Sequence, residues 1–244
     1  MIPLQRLPID NRFQSRLTRA SSPILAAPAN TDLARERWKR ARTVRRDLKS
    51  LLEAMAAGLS RCMYCGDNQG TDIDHFTPIA HDPTHTFAWV NHFLACSHCN
   101  SNQKRDQYPC DGSGACLLVD PTTEDPNTHL SLTLVTGAYT ARTPKGEATI
   151  EVFGLQRPIL QQGRARAYVR CRSMLRDWLL QSESGDLAEA SEVLDSLRIH
   201  PFADVLHAML HRAESPGAPA VFGPEVTTAL RRIRGVVLPL APLP

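Results

Sequence analysis

Residues 62–104 read CMYCGDNQGTDIDHFTPIAHDPTHTFAWVNHFLACSHCNSNQK, and the rest of the chain is organised around them. The stretch holds two C-x-x-C knuckles, Cys62/Cys65 and Cys96/Cys99. Two residues between cysteines let one tight turn aim both sulfurs at one ion, so two such pairs can close a tetrahedral zinc shell. One pair alone would also suit redox chemistry; two pairs around a mostly polar insert point to structural zinc. The spacer, positions 66–95, is longer than usual, so the zinc is expected to fasten the base of an inserted hairpin.

The insert carries residues suited to chemistry. Asp74-His75 follow Ile73 and precede Phe76, which reads as a short strand entering a turn at Pro78. Asn91 lies five residues before Cys96, after the apolar run Phe87-Ala88-Trp89-Val90. Asn100 directly follows Cys99, where the chain can enter a helix, and Lys104 comes one turn later on roughly the same face. The expected order is strand, strand, helix. A hard divalent ion takes oxygen ligands, and Asp74 and the amide oxygen of Asn100 could supply two. A neutral His75 can take a proton from water. Asn91 could hold the imidazole by accepting from its N–H. Together these parts describe metal-assisted hydrolysis of a phosphodiester. Asp72 competes with Asp74 as the acid ligand, though adjacency to His75 favours Asp74. His92 and His98 read as packing or solvated residues, His81 and His85 as loop residues, and Trp89 as core.

The stretch resembles the HNH endonuclease motif, a ββα-metal fold with a four-cysteine zinc. In that family an Asp-His pair ends the first strand, an Asn precedes a C-x-x-C knuckle by five residues, and a His or Asn follows the last Cys. The resemblance implies that His75 is the general base and that Asp74 and Asn100 bind Mg2+ or Mn2+. It also implies that Asn91 orients His75 and that Lys104 contacts phosphate, with Arg105 beside it. Asn in place of His at position 100 favours Mg2+ over a transition metal.

The 244 residues suffice for one large or two small domains, and the net charge of +3 announces no global basic field. The charge is uneven, however. Residues 31–60 read as one helix capped by Asn30 or Thr31, with Trp38, Ala41, Val44, Leu48, Leu51, Leu52 and Met55 at helical spacing. Its other face is basic, and Arg42, Arg45, Arg46 and Lys49 are candidates to track phosphates. Residues 1–30, with four prolines, read as an extended arm. The core is taken as 61–110. Residues 111–155 follow as loop and β-hairpin, one strand near Leu130–Leu134, a turn at Pro144-Lys145-Gly146 and a returning strand through Ile150 and Val152. Cys110 and Cys116 flank a DGSG turn that lacks the ligands for a second metal site. Residues 156–244 read as a helical region, with a long helix over 158–182 flanked by Arg164, Arg166, Arg170, Arg172 and Arg176, shorter helices near 187–198, 202–214 and 224–234, and an apolar, Pro-rich tail suited to docking.

The expected fold class is therefore α+β: a zinc-stapled ββα-metal core preceded by a basic helix and followed by a hairpin and helices. No stretch is apolar enough to span a membrane, and MIPLQRLPIDNRF lacks a signal-peptide core. Four zinc cysteines and an odd remainder of three argue for a reducing, cytoplasmic setting. Residues 60–210 also resemble, through softer motifs such as Lys104 to Pro109 and LLVDPTTEDPNTHL, the stand-alone HNH nucleases of retron- and Septu-type prokaryotic anti-phage systems. That resemblance implies a defence effector working with an ABC/SMC-like ATPase partner, and by analogy DNA as substrate. The alternative is a zinc-stapled nucleic-acid-binding or assembly subunit that does not cut.

Overall fold

The structure, a computed structural model, describes residues 1–237; residues 238–244, most of the tail expected to dock, lie outside the described part. Three helices come first: α1 (Asn11–Leu25), α2 (Thr31–Arg40) and α3 (Arg42–Met55). The segment 1–30, expected as an extended arm, is thus helical over Asn11–Leu25. Phe13, Leu17 and Ile24 recur at helical spacing between Pro8 and Pro28, and Asp10 caps the start by accepting from the Phe13 N–H at 2.6 Å. Counting prolines hid this short amphipathic period. The remainder, residues 1–9, is docked. Arg6 donates to the carbonyls of His92 (2.6 Å), Val90 (2.7 Å) and Trp89 (3.3 Å), and Trp89 Nε1 donates to the Leu7 carbonyl at 3.1 Å.

The single helix expected over 31–60 is broken at Ala41, whose ψ of 49° leaves the helical region. The break gives the two halves different faces. Helix α2 buries Ala34, whereas α3 buries Leu48, Leu52 and Met55. Phe13, Leu17, Ile24, Ala34, Leu48 and Phe87 form a small second core that joins α1–α3 to the insert.

The central core is built on β1 (Asp72–His75) and β2 (His92–Ala95), antiparallel with Asp72 opposite Ala95 and His75 opposite His92. Phe93, Leu94 and Ala95 are all buried, so β2 is covered on both faces. After β2 the chain forms not an α-helix but a seven-residue π-helix, His98–Lys104. π-Helical turns are rare and concentrate at functional sites. It ends at Arg105, held in the left-handed region at φ +51°.

The short α4 (Pro126–His129) leads into a hairpin of β3 (Leu130–Thr133) and β4 (Ala138–Ala141). Its turn lies at Gly137, not at Pro144-Lys145-Gly146. Gly137 has φ +70°, and a Cβ there would lie 2.0 Å from the Gln161 carbonyl oxygen, so both conformation and space require glycine. The expected returning strand is instead helix α5 (Pro144–Val152), with Pro144 in its first turn and the Thr143 hydroxyl accepting from the Gly146 N–H. Thr-Pro before a polar first turn is a helix start rather than a hairpin turn.

The long α6 (Pro158–Ser184) packs against α7 (Leu187–Ile199), α8 (Ala203–Arg212) and α10 (Pro224–Val237), with the short α9 (Ala218–Phe222) against α10. Arg164 does not flank this helix: it is fully buried. Its Nε donates to Asp204 Oδ2 at 3.1 Å, beside the Tyr139 hydroxyl (2.6 Å) and the Met1 amino group (3.2 Å).

Candidate active site

The four knuckle sulfurs of Cys62, Cys65, Cys96 and Cys99 lie within 4.8 Å of one another and all four residues are buried. Sulfurs this close cannot all ionise without a cation, and burial pushes the Cys62 thiol well up. The donor set fits structural zinc, which deprotonates its thiols and holds them tetrahedrally. Arg157 Nη2 and Asn68 Nδ2 each approach a cluster sulfur, on Cys99 and Cys96, at 3.8 Å.

Tyr64, inside the first knuckle, carries this anchorage to the insert. It stacks on Phe153 with ring centroids 3.8 Å apart and donates its hydroxyl to Asp74 Oδ2. Asp74 Oδ1 accepts from Lys104 Nζ at 3.1 Å, and Lys104 Nζ also donates to the His75 carbonyl at 2.6 Å. Lys104 is fully buried, so the phosphate contact expected of it is not what its side chain makes. A buried ammonium needs a counter-charge, and Asp74 supplies it.

His75 Nε2 meets the Thr86 carbonyl at 3.1 Å. A carbonyl only accepts, so Nε2 carries the hydrogen and Nδ1 keeps the lone pair. Burial pushes this imidazole down to about 4, which keeps it neutral and basic in form at neutral pH. Thr86, not Asn91, therefore holds the ring. Asn91 does a different job: its Oδ1 accepts from the Thr77 N–H at 2.7 Å, and its Nδ2 donates to the carbonyls of Thr77 (3.0 Å) and His85 (3.2 Å). It ties the turn after β1 to the segment that presents Thr86. His92, fully buried, also places Nε2 on the Thr86 carbonyl, at 3.0 Å. Its pKa is pushed well below the usual value by burial, with the neighbouring His75 a smaller cause.

Trp38 of α2 is the neighbour that sequence reading assigned only to a helix core. Its ring meets His75 edge-on at 4.4 Å and stacks on His92 at 5.3 Å, while the Arg45 guanidinium sits 5.5 Å over it. It also lines two cavities. One, of about 250 Å3, is lined by Arg35, Asp74, His75, Asn100 and Arg105 among others. The other, of about 590 Å3, is lined by Arg42, Arg45, Arg46 and Lys49 of α3 together with Thr71, Asp72 and Asn100. Asn100 borders both, and its Nδ2 donates to Asp72 Oδ2 at 3.3 Å. The four basic residues thus line a cavity that adjoins the Asp-His pair. Of the other histidines, His85 pairs with Asp82 at 2.9 Å, His81 packs on Tyr108, and His98 meets Gln103. Nothing in the local sequence marked Thr86 or Trp38, because their roles lie in contacts with residues distant in the chain. Tyr64 could have been suspected from its place between two zinc cysteines.

Against this geometry, the HNH endonuclease family model matches residues 62–106, the segment from the first knuckle to the end of the π-helix. Protein ea31 of Escherichia phage lambda is 33% identical over 78 residues, which make up 32% of this chain and 24% of that protein. The match thus spans about a quarter of that relative's length. No solved structure matches the chain significantly. No helix among the described residues is long and apolar enough to cross a membrane. The chain therefore carries an HNH endonuclease family domain over residues 62–106, with a four-cysteine cluster compatible with structural zinc.

Proposed function

We propose that the chain is a metal-dependent endonuclease that hydrolyses phosphodiester bonds of nucleic acid, with His75 as general base. The observation that carries this is the meeting of His75, Asp74 and Asn100 on one cavity, with the His75 ring fixed by Thr86 so that Nδ1 is left to take a proton. Nδ1 accepts the proton of a water aimed at phosphorus, and the Nε2–H bond to Thr86 stabilises the imidazolium that forms. The carboxylate of Asp74 and the amide oxygen of Asn100 are hard donors suited to Mg2+ or Mn2+, and each Asp74 oxygen keeps a lone pair beyond its present bond. Asp72, bonded to Asn100, is the competing acid. Such an ion, when bound, stabilises the leaving oxygen. Arg42, Arg45, Arg46 and Lys49 hold flanking phosphates in the adjoining cavity, and exposed Arg105 contacts phosphate while buried Lys104 does not. We take the substrate to be DNA and the setting to be anti-phage defence with an ABC/SMC-like ATPase. Both follow from the sequence resemblance, and co-purification from a native host tests the partner.

The test is cleavage of supercoiled plasmid by the purified chain in Mg2+, Mn2+ or EDTA. Metal-dependent cutting should fall by roughly 10²- to 10⁴-fold in His75→Ala, with melting temperature and nucleic-acid affinity retained. Cutting by purified His75→Ala at the wild-type rate refutes the assignment. A second reading is favoured by one observation: both Asp74 oxygens already have partners, Lys104 and Tyr64. If Lys104 keeps its hold, the domain binds nucleic acid without cutting. Tight binding with no cleavage in any divalent ion selects that reading.

A further inference from the structure

We propose that Cys110 and Cys116 form a site of reversible disulfide formation, with a low-molecular-weight disulfide as co-reactant. The two residues face each other in an isolated antiparallel bridge. The backbone bonds lie outside the pair: the Asp111 N–H donates to the Ala115 carbonyl at 2.9 Å, and the Leu117 N–H to the Pro109 carbonyl at 2.8 Å. Cys110 and Cys116 are therefore a non-hydrogen-bonded pair, the register that brings opposing side chains closest, with Cα atoms roughly 4.5 Å apart. That separation falls within the range of about 4.4–6.8 Å that a disulfide spans.

The loop between them is held in place. Asp111 Oδ1 accepts from the Ser113 N–H (2.8 Å), the Ser113 hydroxyl (2.6 Å) and the Ala115 N–H (3.0 Å), and Gly114 takes φ +85°. Little chain entropy remains to be lost when the sulfurs join. Both cysteines are free and half-buried, so a small disulfide can reach them, and neither belongs to the four-cysteine cluster. The seventh cysteine, Cys171, is buried in α6.

The chemistry is two exchanges. One thiolate attacks a sulfur of the small disulfide, breaks its S–S bond and releases one small thiolate. The other cysteine then attacks the mixed disulfide, forms the Cys110–Cys116 bond and releases the second small thiolate. Two protein thiols are oxidised, one small disulfide is reduced, and the two protons end on the released thiols. The bond would sit next to Tyr108, whose hydroxyl accepts from Thr77 Oγ1 at 3.2 Å and whose ring packs on His81 at 4.6 Å. The site therefore borders the turn that follows His75, but the proposal does not depend on the nuclease reading.

The experiment equilibrates the zinc-loaded full chain in glutathione buffers of rising oxidised fraction, alkylates free thiols, and maps peptides without reduction while following zinc release. The expected result is that the peptide carrying Cys110 and Cys116 loses both alkyl groups together while zinc stays bound, and regains them on reduction. Cys116→Ser should instead accumulate a glutathione adduct on Cys110. The proposal is overturned if both thiols stay alkylatable throughout, whether or not zinc is lost, or if the wild-type chain collects glutathione adducts without the internal bond.

Discussion

Asp74 and Asp204 are each buried against one basic side chain at 3.1 Å, Lys104 and Arg164, and both pairs have side-chain exposures of 0% and 2% for base and acid. By distance and burial they are the same object. They differ in surroundings. Asp204 spends one oxygen on Arg164, Tyr139 and the Met1 amino group, while its Oδ1 is buried without a partner, sealed among α6, α8 and the hairpin. Asp74 gives one oxygen to Lys104 and one to Tyr64, and borders a cavity with His75 and Asn100. A buried ion pair is thus no sign of chemistry by itself; what stands beside it is. One pair fastens the N-terminal residues to the helical region. The other holds an acid next to a candidate base.

The two pairs should differ most in their response to damage in the four-cysteine cluster, which lies beneath only one of them. Tyr64 reaches Asp74 from within a knuckle, so Cys96→Ser should strip zinc and unmoor Asp74, a loss on the order of 10 kcal/mol from the core. Hydrogen exchange should show residues 62–106 losing protection while α6 and α8 keep theirs. Unchanged zinc content and melting profile would refute the zinc assignment. Next come the acids themselves. Asp74→Asn and Asp204→Asn each strand a buried cation and should each cost about 3–5 kcal/mol in denaturant unfolding. Only Asp74→Asn should also abolish cleavage per folded molecule; equal loss in both variants would erase the distinction drawn between them.

Trp38→Leu is a milder probe of the site pair alone. It removes the edge-on contact that packs the His75 ring and leaves Thr86 alone to hold it, and kcat should fall on the order of 10-fold with a smaller change in nucleic-acid affinity. Weakened binding at normal kcat would mean that Trp38 serves the substrate and not His75.

Acid gives the smallest and most graded contrast. His75 and His207 are pushed down to about 4, and His92 well below its usual value, each mainly by burial. The unfolded chain takes up protons below about 6.5 that the folded chain refuses, so stability is complete above that pH and declines as it falls toward 4. Burial alone would raise Asp204, but the Met1 amino group and Arg164 outweigh it and hold it at about 2. Its stabilisation is therefore present above the ordinary carboxylate value and is lost only as pH falls through about 2. Melting curves that stay flat from pH 7 to 4 would contradict the histidine part.

The sequence determined what depends on local spacing. Each C-x-x-C turn aims its own two sulfurs the same way because a tight turn needs no distant help; the pairing of β1 with β2 brings the two knuckles together. The run Ile73-Asp74-His75 reads as a strand and the apolar period of α6 as a helix, because side-chain alternation and helical period are properties of neighbours, whereas the second strand lies at His92–Ala95, after Asn91 and not in the apolar run before it. What depends on partners far along the chain was decided only by tertiary structure. Lys104 points inward because Asp74, across the core, offers it a charge. Arg164 leaves the flank of α6 for the core because Asp204 waits there from α8. The helix over 31–60 breaks at Ala41, with no glycine or proline to announce it, because its halves pack different faces on different neighbours. The carbonyl that fixes His75 belongs to Thr86, and a carbonyl has no sequence signature, since every residue carries one.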